Sequence, residues 1–212
     1  MAPQSDRHAT LIIVRHGETE GESSIRYHGR GDVALSALGR AQMHAARAAI
    51  ETRHGGLAFE QVFTSPLVRA TEGARIIAGR AAAIELAEFT EVHFGDFEGL
   101  TREEIGARFP AEYARWRADP LSPAYTYPGG ENRAEFAARV VRGVERMLSL
   151  WAPAAASRAL IVAHRGVIRT IVEHLSGATP SVELGSIQVL EFARGWNCAA
   201  LDSVAHLIGV TG

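Results

Sequence analysis

The chain has 212 residues, 47% hydrophobic and 22% charged, with a net charge of −2. That size and composition suit one globular domain with a full core, and the near-neutral balance gives no sign of nucleic-acid or membrane binding. A single cysteine, Cys198, excludes an internal disulfide framework and any multi-cysteine metal site. All 22 basic residues are arginine, so no one arginine stands out by type. Met1 to Ala9 is polar, without the apolar core of a signal peptide. No apolar run approaches the roughly 20 residues that span a bilayer, and a cytoplasmic protein is the expectation.

Leu11-Ile12-Ile13-Val14 reads as a buried strand, three of its four residues being β-branched. It stops at Arg15-His16-Gly17. A buried strand delivers its last residues to the carboxyl edge of a sheet, where open α/β folds place their ligands. A histidine fixed there beside an arginine is a candidate nucleophile for an anionic substrate. On these residues alone, a strand ending in a polar turn is the favoured reading.

Glu20 to Val33 is a long polar loop, of the kind that often carries function. Ser36 is the expected N-cap of an alanine-rich helix that runs to about Thr52. Gln61 to Thr64 reads as a second strand. Ser65-Pro66 looks like an N-cap followed by proline at the first helical position. It opens a helix from about Leu67 to Ala78 with Arg69 in its first turn. Ala83 to Leu86 is a weak third strand, and Glu88 to Gly99 is irregular, with acids among aromatics. Thr101-Arg102-Glu103-Glu104 is a capping box, with Leu100 and Ile105 placed as its staple.

Short helices are expected over 101–109 and 112–118, followed by a proline- and glycine-rich loop to Asn132. Arg133 to Trp151 is the clearest helix: Phe136, Val140, Val144, Met147 and Trp151 form one apolar stripe. Ala159 to Ala163 is a second fully apolar strand, and it too ends on a histidine, His164. A helix carrying Ile168, Ile171, Val172 and Leu175 on one face then stops at Gly177. Strands over Ile187–Phe192 and Cys198–Val204 close the chain.

Alternating strands and helices predict an α/β fold. It is a three-layer sandwich, with a largely parallel central sheet, helices on both faces and an antiparallel edge hairpin. One domain over 1–212 is expected, with residues 100–132 as a cap. If the strands ending in His16, His164 and Ser65-Pro66 are parallel neighbours, two histidines and two arginines share one pocket with anion-favouring helix N-termini.

Five stretches then point to a known family: Leu-Ile-Ile-Val-Arg-His-Gly-Glu-Thr, Ser-Pro-Leu-Val-Arg-Ala, Glu-Val-His-Phe-Gly-Asp-Phe-Glu-Gly, Pro-Gly-Gly-Glu and Leu-Ile-Val-Ala-His-Arg-Gly-Val-Ile-Arg. In this order they resemble the histidine phosphatase superfamily, in its phosphoglycerate-mutase-like branch, over about residues 11–206. The resemblance implies that His16 is the nucleophile taking the phosphoryl group on a ring nitrogen. It implies that Arg15, Arg69 and His164 form the phosphate pocket and that Glu91 is the general acid. Thr19, Glu22, Arg26, His28 and Arg165 fall on the substrate side.

The chemistry is coherent on its own terms. Phosphoryl transfer spreads negative charge that fixed cations stabilise, arginine suits the phosphate geometry, and a covalent phosphohistidine splits the reaction into two displacements. No metal or other cofactor is called for, and the implied partner is a small phosphorylated metabolite. Nothing points to nucleic acid or membrane, and a homodimer is compatible with the sequence.

Glu91 competes with Glu88 and Glu98 as the acid. Its neighbours Phe89, Val92 and Phe94 suggest an apolar setting that would hold its proton, whereas Glu98 is expected to cap or position the next helix. Three positions depart from the family's habit. Glu22 stands where asparagine is frequent, His28 where glutamine is, and Arg165 where glycine is usual. A carboxylate at 22 repels an anionic substrate unless Arg26 pairs with it, and Arg165 restores positive charge. Phosphomonoester hydrolysis is the leading reading, because the segment between Glu91 and His164 is shorter than in related mutases. A phosphomutase and a non-catalytic phospho-ligand-binding module are the alternatives.

Overall fold

The computed structural model describes residues 8–79, 81–152 and 157–211; the polar N-terminal stretch up to Arg7 lies outside them. Six strands form one sheet in the order β3-β2-β4-β1-β5-β6. They are β1 (Ala9–Arg15), β2 (Gln61–Thr64), β3 (Ala83–Glu85), β4 (Ser157–Ala163), β5 (Ile187–Phe192) and β6 (Trp196–Ser203). β3, β2, β4 and β1 run parallel, whereas β5 is antiparallel to β1 and to β6. The largely parallel sheet with an antiparallel edge hairpin therefore stands as expected.

Period-2 alternation sorts β1 between two cores. Leu11 and Ile13 face a cluster with Val140, Val144 and Met147 of α5 (Arg133–Trp151) and Ile168 and Ile171 of α6 (Arg165–Ser176). Ile12 and Val14 face the other side, against Met43 and Ile50 of α1 (Ala37–Arg53) and Ala74 and Ile77 of α2 (Val68–Ala78). Leu11, Ile12, Ile13 and Val14 are all completely buried, each such side chain contributing about 1.5–3 kcal/mol. The predicted α5 stripe is buried throughout.

Ser36 caps α1 by accepting from Gly39 N, and Thr101 with Glu104 closes the capping box of α3 (Arg102–Arg108). α4 (Pro110–Ala118) starts two residues before its expected position, on a proline suited to a helix start. β4 likewise begins at Ser157 rather than 159, and β6 at Trp196 rather than 198.

One cap differs in kind. Ser65 does not cap α2, which begins three residues later at Val68. The first turn is capped from outside, by Asp32 Oδ1 accepting from Val68 N at 2.7 Å. The polar loop of 20–33 thus ends on the helix that carries Arg69.

Candidate active site

The carboxyl ends of β1 and β4 lie side by side. Arg15 pairs with Ala163 in register, and His16 N donates to Ala163 O at 3.0 Å. This brings the next residues of the two strands, His16 and His164, to a ring-centroid distance of 5.1 Å with planes 62° apart. β2 lies on the far side of β4 and ends at Thr64, so Ser65 enters the same edge. Gly17 lets β1 turn away at close quarters: a Cβ there would lie 2.4 Å from the carbonyl oxygen of Gly39 in α1.

His16 is 4% exposed, and its Nδ1 sits 2.7 Å from the carbonyl oxygen of Gly17. A carbonyl only accepts, so Nδ1 carries the proton and Nε2 keeps its lone pair. Burial, followed by the charges of Arg69 and Arg15, holds the ring well below the usual imidazole range. The imidazole is therefore neutral near neutral pH, as a nucleophile requires.

His164 is fully buried, and burial followed by Arg69 holds it well below the usual range too. Its Nε2 lies 2.7 Å from Ser65 Oγ. That hydroxyl already accepts from Leu67 N, and among the described residues its own proton has no acceptor other than the ring. Ser65 therefore donates to Nε2, and Nδ1 carries the ring proton. Nδ1 is buried and has no partner, leaving one unused donor next to His16. Sequence reasoning missed this pairing. The Ser65-Pro66 signal was visible but read as a helix cap, and the partner is 99 residues away.

Arg69 is completely buried, and Nη1 and Nη2 are spent on the carbonyls of Gly31, His28 and Gly29 at 2.7, 3.0 and 2.8 Å. Only Nε lacks a partner. Its charge faces both histidines while its hydrogen bonds hold the loop. Arg15 Nη1 donates to Val182 O at 2.9 Å, and its Nε is likewise buried and free. Burial, then the neighbouring Arg165, lowers the Arg15 guanidinium to about 10, so it stays charged at neutral pH.

Glu91 is 6% exposed, but its oxygens do not meet the apolar surroundings its neighbours suggest. Oε1 accepts from Val92 N at 3.0 Å and Oε2 from Gly166 N at 3.1 Å, in the first turn of α6. The two competing acids are engaged elsewhere. Glu88 pairs with Arg146 on the surface. Glu98 accepts from Gly29, Arg30 and Phe94 N, so it ties the polar loop of 20–33 to the loop that carries Glu91 rather than capping a helix.

Arg15, His16 and Glu91 open onto a cavity of about 320 Å³ that Arg26, His28 and Arg165 also line. Arg26 is shared between Glu22 Oε2 at 3.2 Å and Glu104 Oε2 at 2.7 Å, and His28 Nε2 donates to Gly21 O. Thr19, Glu22, Arg69 and His164 are not among the lining residues, so the two fully buried members of the expected pocket stand behind it rather than in its wall. Thr19 is buried in a bridge to Leu35. Glu22 adopts a left-handed φ of 59° and turns its carboxylate to Arg26. The repulsion expected from a carboxylate at 22 is thereby offset. Glu18 was also missed: its Oε1 accepts from Thr19 N, Ser23 Oγ and Ser24 N and so folds the loop's first turn. Those bonds outweigh burial and keep its carboxyl below the usual range.

No described helix is long and apolar enough to cross a membrane. Residues 11–198 match the histidine phosphatase superfamily (branch 1). The chain is 35% identical over 191 residues to the bifunctional protein Rv2228c of Mycobacterium tuberculosis, covering 86% of this chain and 50% of that protein. It thus spans about half the length of this mycobacterial relative. It is 30% identical to the 2,3-bisphosphoglycerate-dependent phosphoglycerate mutase of Cytophaga hutchinsonii, covering 93% of this chain and 92% of the mutase. The crystal structure of mycobacterial glucosyl-3-phosphoglycerate phosphatase superposes with a TM-score of 0.76 at 25% identity, over 92% of this chain and 99% of that one. With the paired histidines, the buried arginines and a match covering nearly all of its length, this chain belongs to branch 1 of the histidine phosphatase superfamily.

Proposed function

We infer that the protein is a metal-independent phosphatase hydrolysing a small phosphomonoester through a phosphohistidine on Nε2 of His16. The observation that carries this reading is the hydrogen bond from His16 Nδ1 to the Gly17 carbonyl, which leaves Nε2 bare and neutral in a buried, arginine-rich site. In the first step Nε2 attacks phosphorus, the P–O bond breaks, and the departing oxygen takes a proton from Glu91. In the second, Glu91 takes a proton from water as the oxygen attacks phosphorus and the N–P bond breaks. Arg15, Arg69 and the free Nδ1–H of His164 offset the charge that develops on the equatorial oxygens.

The test is release of phosphate from a generic phosphomonoester, with and without a chelator, by the wild type and His16→Ala. Turnover that ignores the chelator and collapses in the variant is expected, with a phosphoenzyme that is labile to acid and stable to alkali. Turnover surviving in His16→Ala refutes the nucleophile assignment. Phosphate exchange between two phosphoglycerates, faster than hydrolysis, makes the protein a mutase. Tight binding of phosphorylated ligands with no turnover makes it a binding module.

A further inference from the structure

A second cavity, of about 490 Å³, adjoins the first, and Tyr27, Glu91, Phe94, Arg102 and Arg165 line both. Glu91 stands at the junction, so the general acid has the phosphoryl side on one hand and this space on the other. The residues that line only the second cavity are mostly apolar. Val92, Trp116, Leu121, Tyr127, Phe136 and Ala137 come from the acid loop, α4, the segment after it and α5. The aromatic wall is interlocked: Tyr27 stacks edge-on with Trp116 and Phe94 with Tyr127, at centroid distances of 5.4 and 5.0 Å. Two donors on wall residues, Trp116 Nε1 and Arg133 Nε, are buried without partners.

The cavity is comparable in volume to a drug-sized ligand site. It is larger than a two- or three-carbon hydroxy acid fills, and although Arg102, Arg133, Arg165 and Arg169 bring positive charge to it, most of the lining residues are apolar. In a phosphoryl transfer the general acid must touch the leaving oxygen, so the alcohol half of the substrate extends from Glu91 into this space.

We propose that the second cavity is the leaving-group subsite and that it selects phosphomonoesters of bulky, aromatic alcohols. The proposal rests on the phosphatase reading above and names the substrate class for it. A flat ring against Phe94, Trp116 and Tyr127 fills the space.

Two alkyl esters with similar leaving-group acidity separate binding in the cavity from intrinsic reactivity: propyl phosphate and 3-phenylpropyl phosphate. Wild type is expected to prefer the phenyl ester in kcat/KM by on the order of 10- to 100-fold, the range that apolar pockets supply. Ala137→Phe, from a half-buried position on α5 into the cavity, is expected to erase that preference, read as the ratio of kcat/KM for the two esters. Leu121→Asp, on an exposed wall residue, is expected to act in the same direction without touching the core. Equal kcat/KM for the two esters in wild type overturns the subsite, as does a preference that survives both variants. A stronger preference for 3-phosphoglycerate than for the phenyl ester overturns it as well. Absence of turnover on every ester refutes the phosphatase reading itself.

Discussion

Replacing Gly166 by alanine tests whether the acid is held from the first turn of α6. Gly166 is helical, so alanine meets no backbone strain there, and its better helix propensity, worth up to about 1 kcal/mol, partly offsets the crowding against Glu91 and Phe136, so the fold is expected to survive with a modest drop in melting temperature. Sterically the position is closed. A Cβ would lie 2.6 Å from Glu91 Oε1 and 3.1 Å from Phe136 Cζ, against an ordinary contact of 3.4 Å or more. The difference from Glu91 means the carboxyl group must withdraw by about 0.8 Å and give up its bond from Gly166 N. A displacement approaching 1 Å costs on the order of 10²-fold in a positioned catalytic group. The expected loss in kcat/KM is thus roughly 10- to 100-fold for an alkyl phosphate, whose poor leaving group needs the proton. It is much smaller for 4-nitrophenyl phosphate, whose leaving group does not. An equal loss on both esters, or no loss with the fold intact, would refute the assignment of Glu91 as the acid held by Gly166.

Two further predictions follow from the histidines. Ser65→Ala removes the donor to His164 Nε2 and allows the proton to move there from Nδ1. A loss of roughly tenfold in kcat is expected, the worth of one hydrogen bond, together with a change of tautomer seen in the ¹⁵N shifts of His164. Unchanged shifts would show that Ser65 does not set the tautomer. Both His16 and His164 remain neutral when folded but protonate near pH 6.5 when unfolded. The unfolded chain therefore binds more protons below that pH, and stability is steady above it and falls below it, by up to about 1.4 kcal/mol per pH unit for each ring. Urea midpoints measured at about pH 7.5 and about pH 5.5 are expected to drop, and to drop less in a His16→Gln, His164→Gln double variant. Equal wild-type midpoints would contradict the buried neutral pair.

What the sequence makes legible here is local. β1 and β4 announce themselves as apolar runs that each stop at a histidine, and their parallel pairing follows from the helices between them. Of the five catalytic candidates, Arg15, His16 and His164 sit at those two strand ends, Arg69 at a third strand-to-helix junction, and Glu91 stands out only through the family resemblance. What stays hidden is held by long-range contacts that leave no periodic trace. Asp32 caps a helix that begins 36 residues later, and Ser65 reaches across the sheet to His164. Glu98 sews two loops together where a helix cap was expected. Apolar neighbours suggested a dry carboxyl at Glu91, but in this fold Phe89 is in the core and Val92 and Phe94 line the second cavity, while backbone amides take the Glu91 oxygens. Glu22 looked like a threat to anion binding because its φ of 59°, which turns it toward Arg26, is invisible in a residue name.

Arg69 sets a limit on how the polar loop of residues 20–33 can be re-engineered. Its guanidinium holds the carbonyls of His28, Gly29 and Gly31 while its charge faces both histidines. Backbone carbonyls carry no side-chain identity, so His28 and Gly31 can change type while the chain keeps its path, whereas Gly29 is fixed because a Cβ there would collide with the Val92 carbonyl and Glu98. Grafting a loop from another enzyme must then preserve that path from His28 to Asp32 and confine insertions to the stretch before Tyr27. A graft that shifts the carbonyls leaves a buried cation unpaired beside His16, so specificity and reactivity would be lost together rather than exchanged.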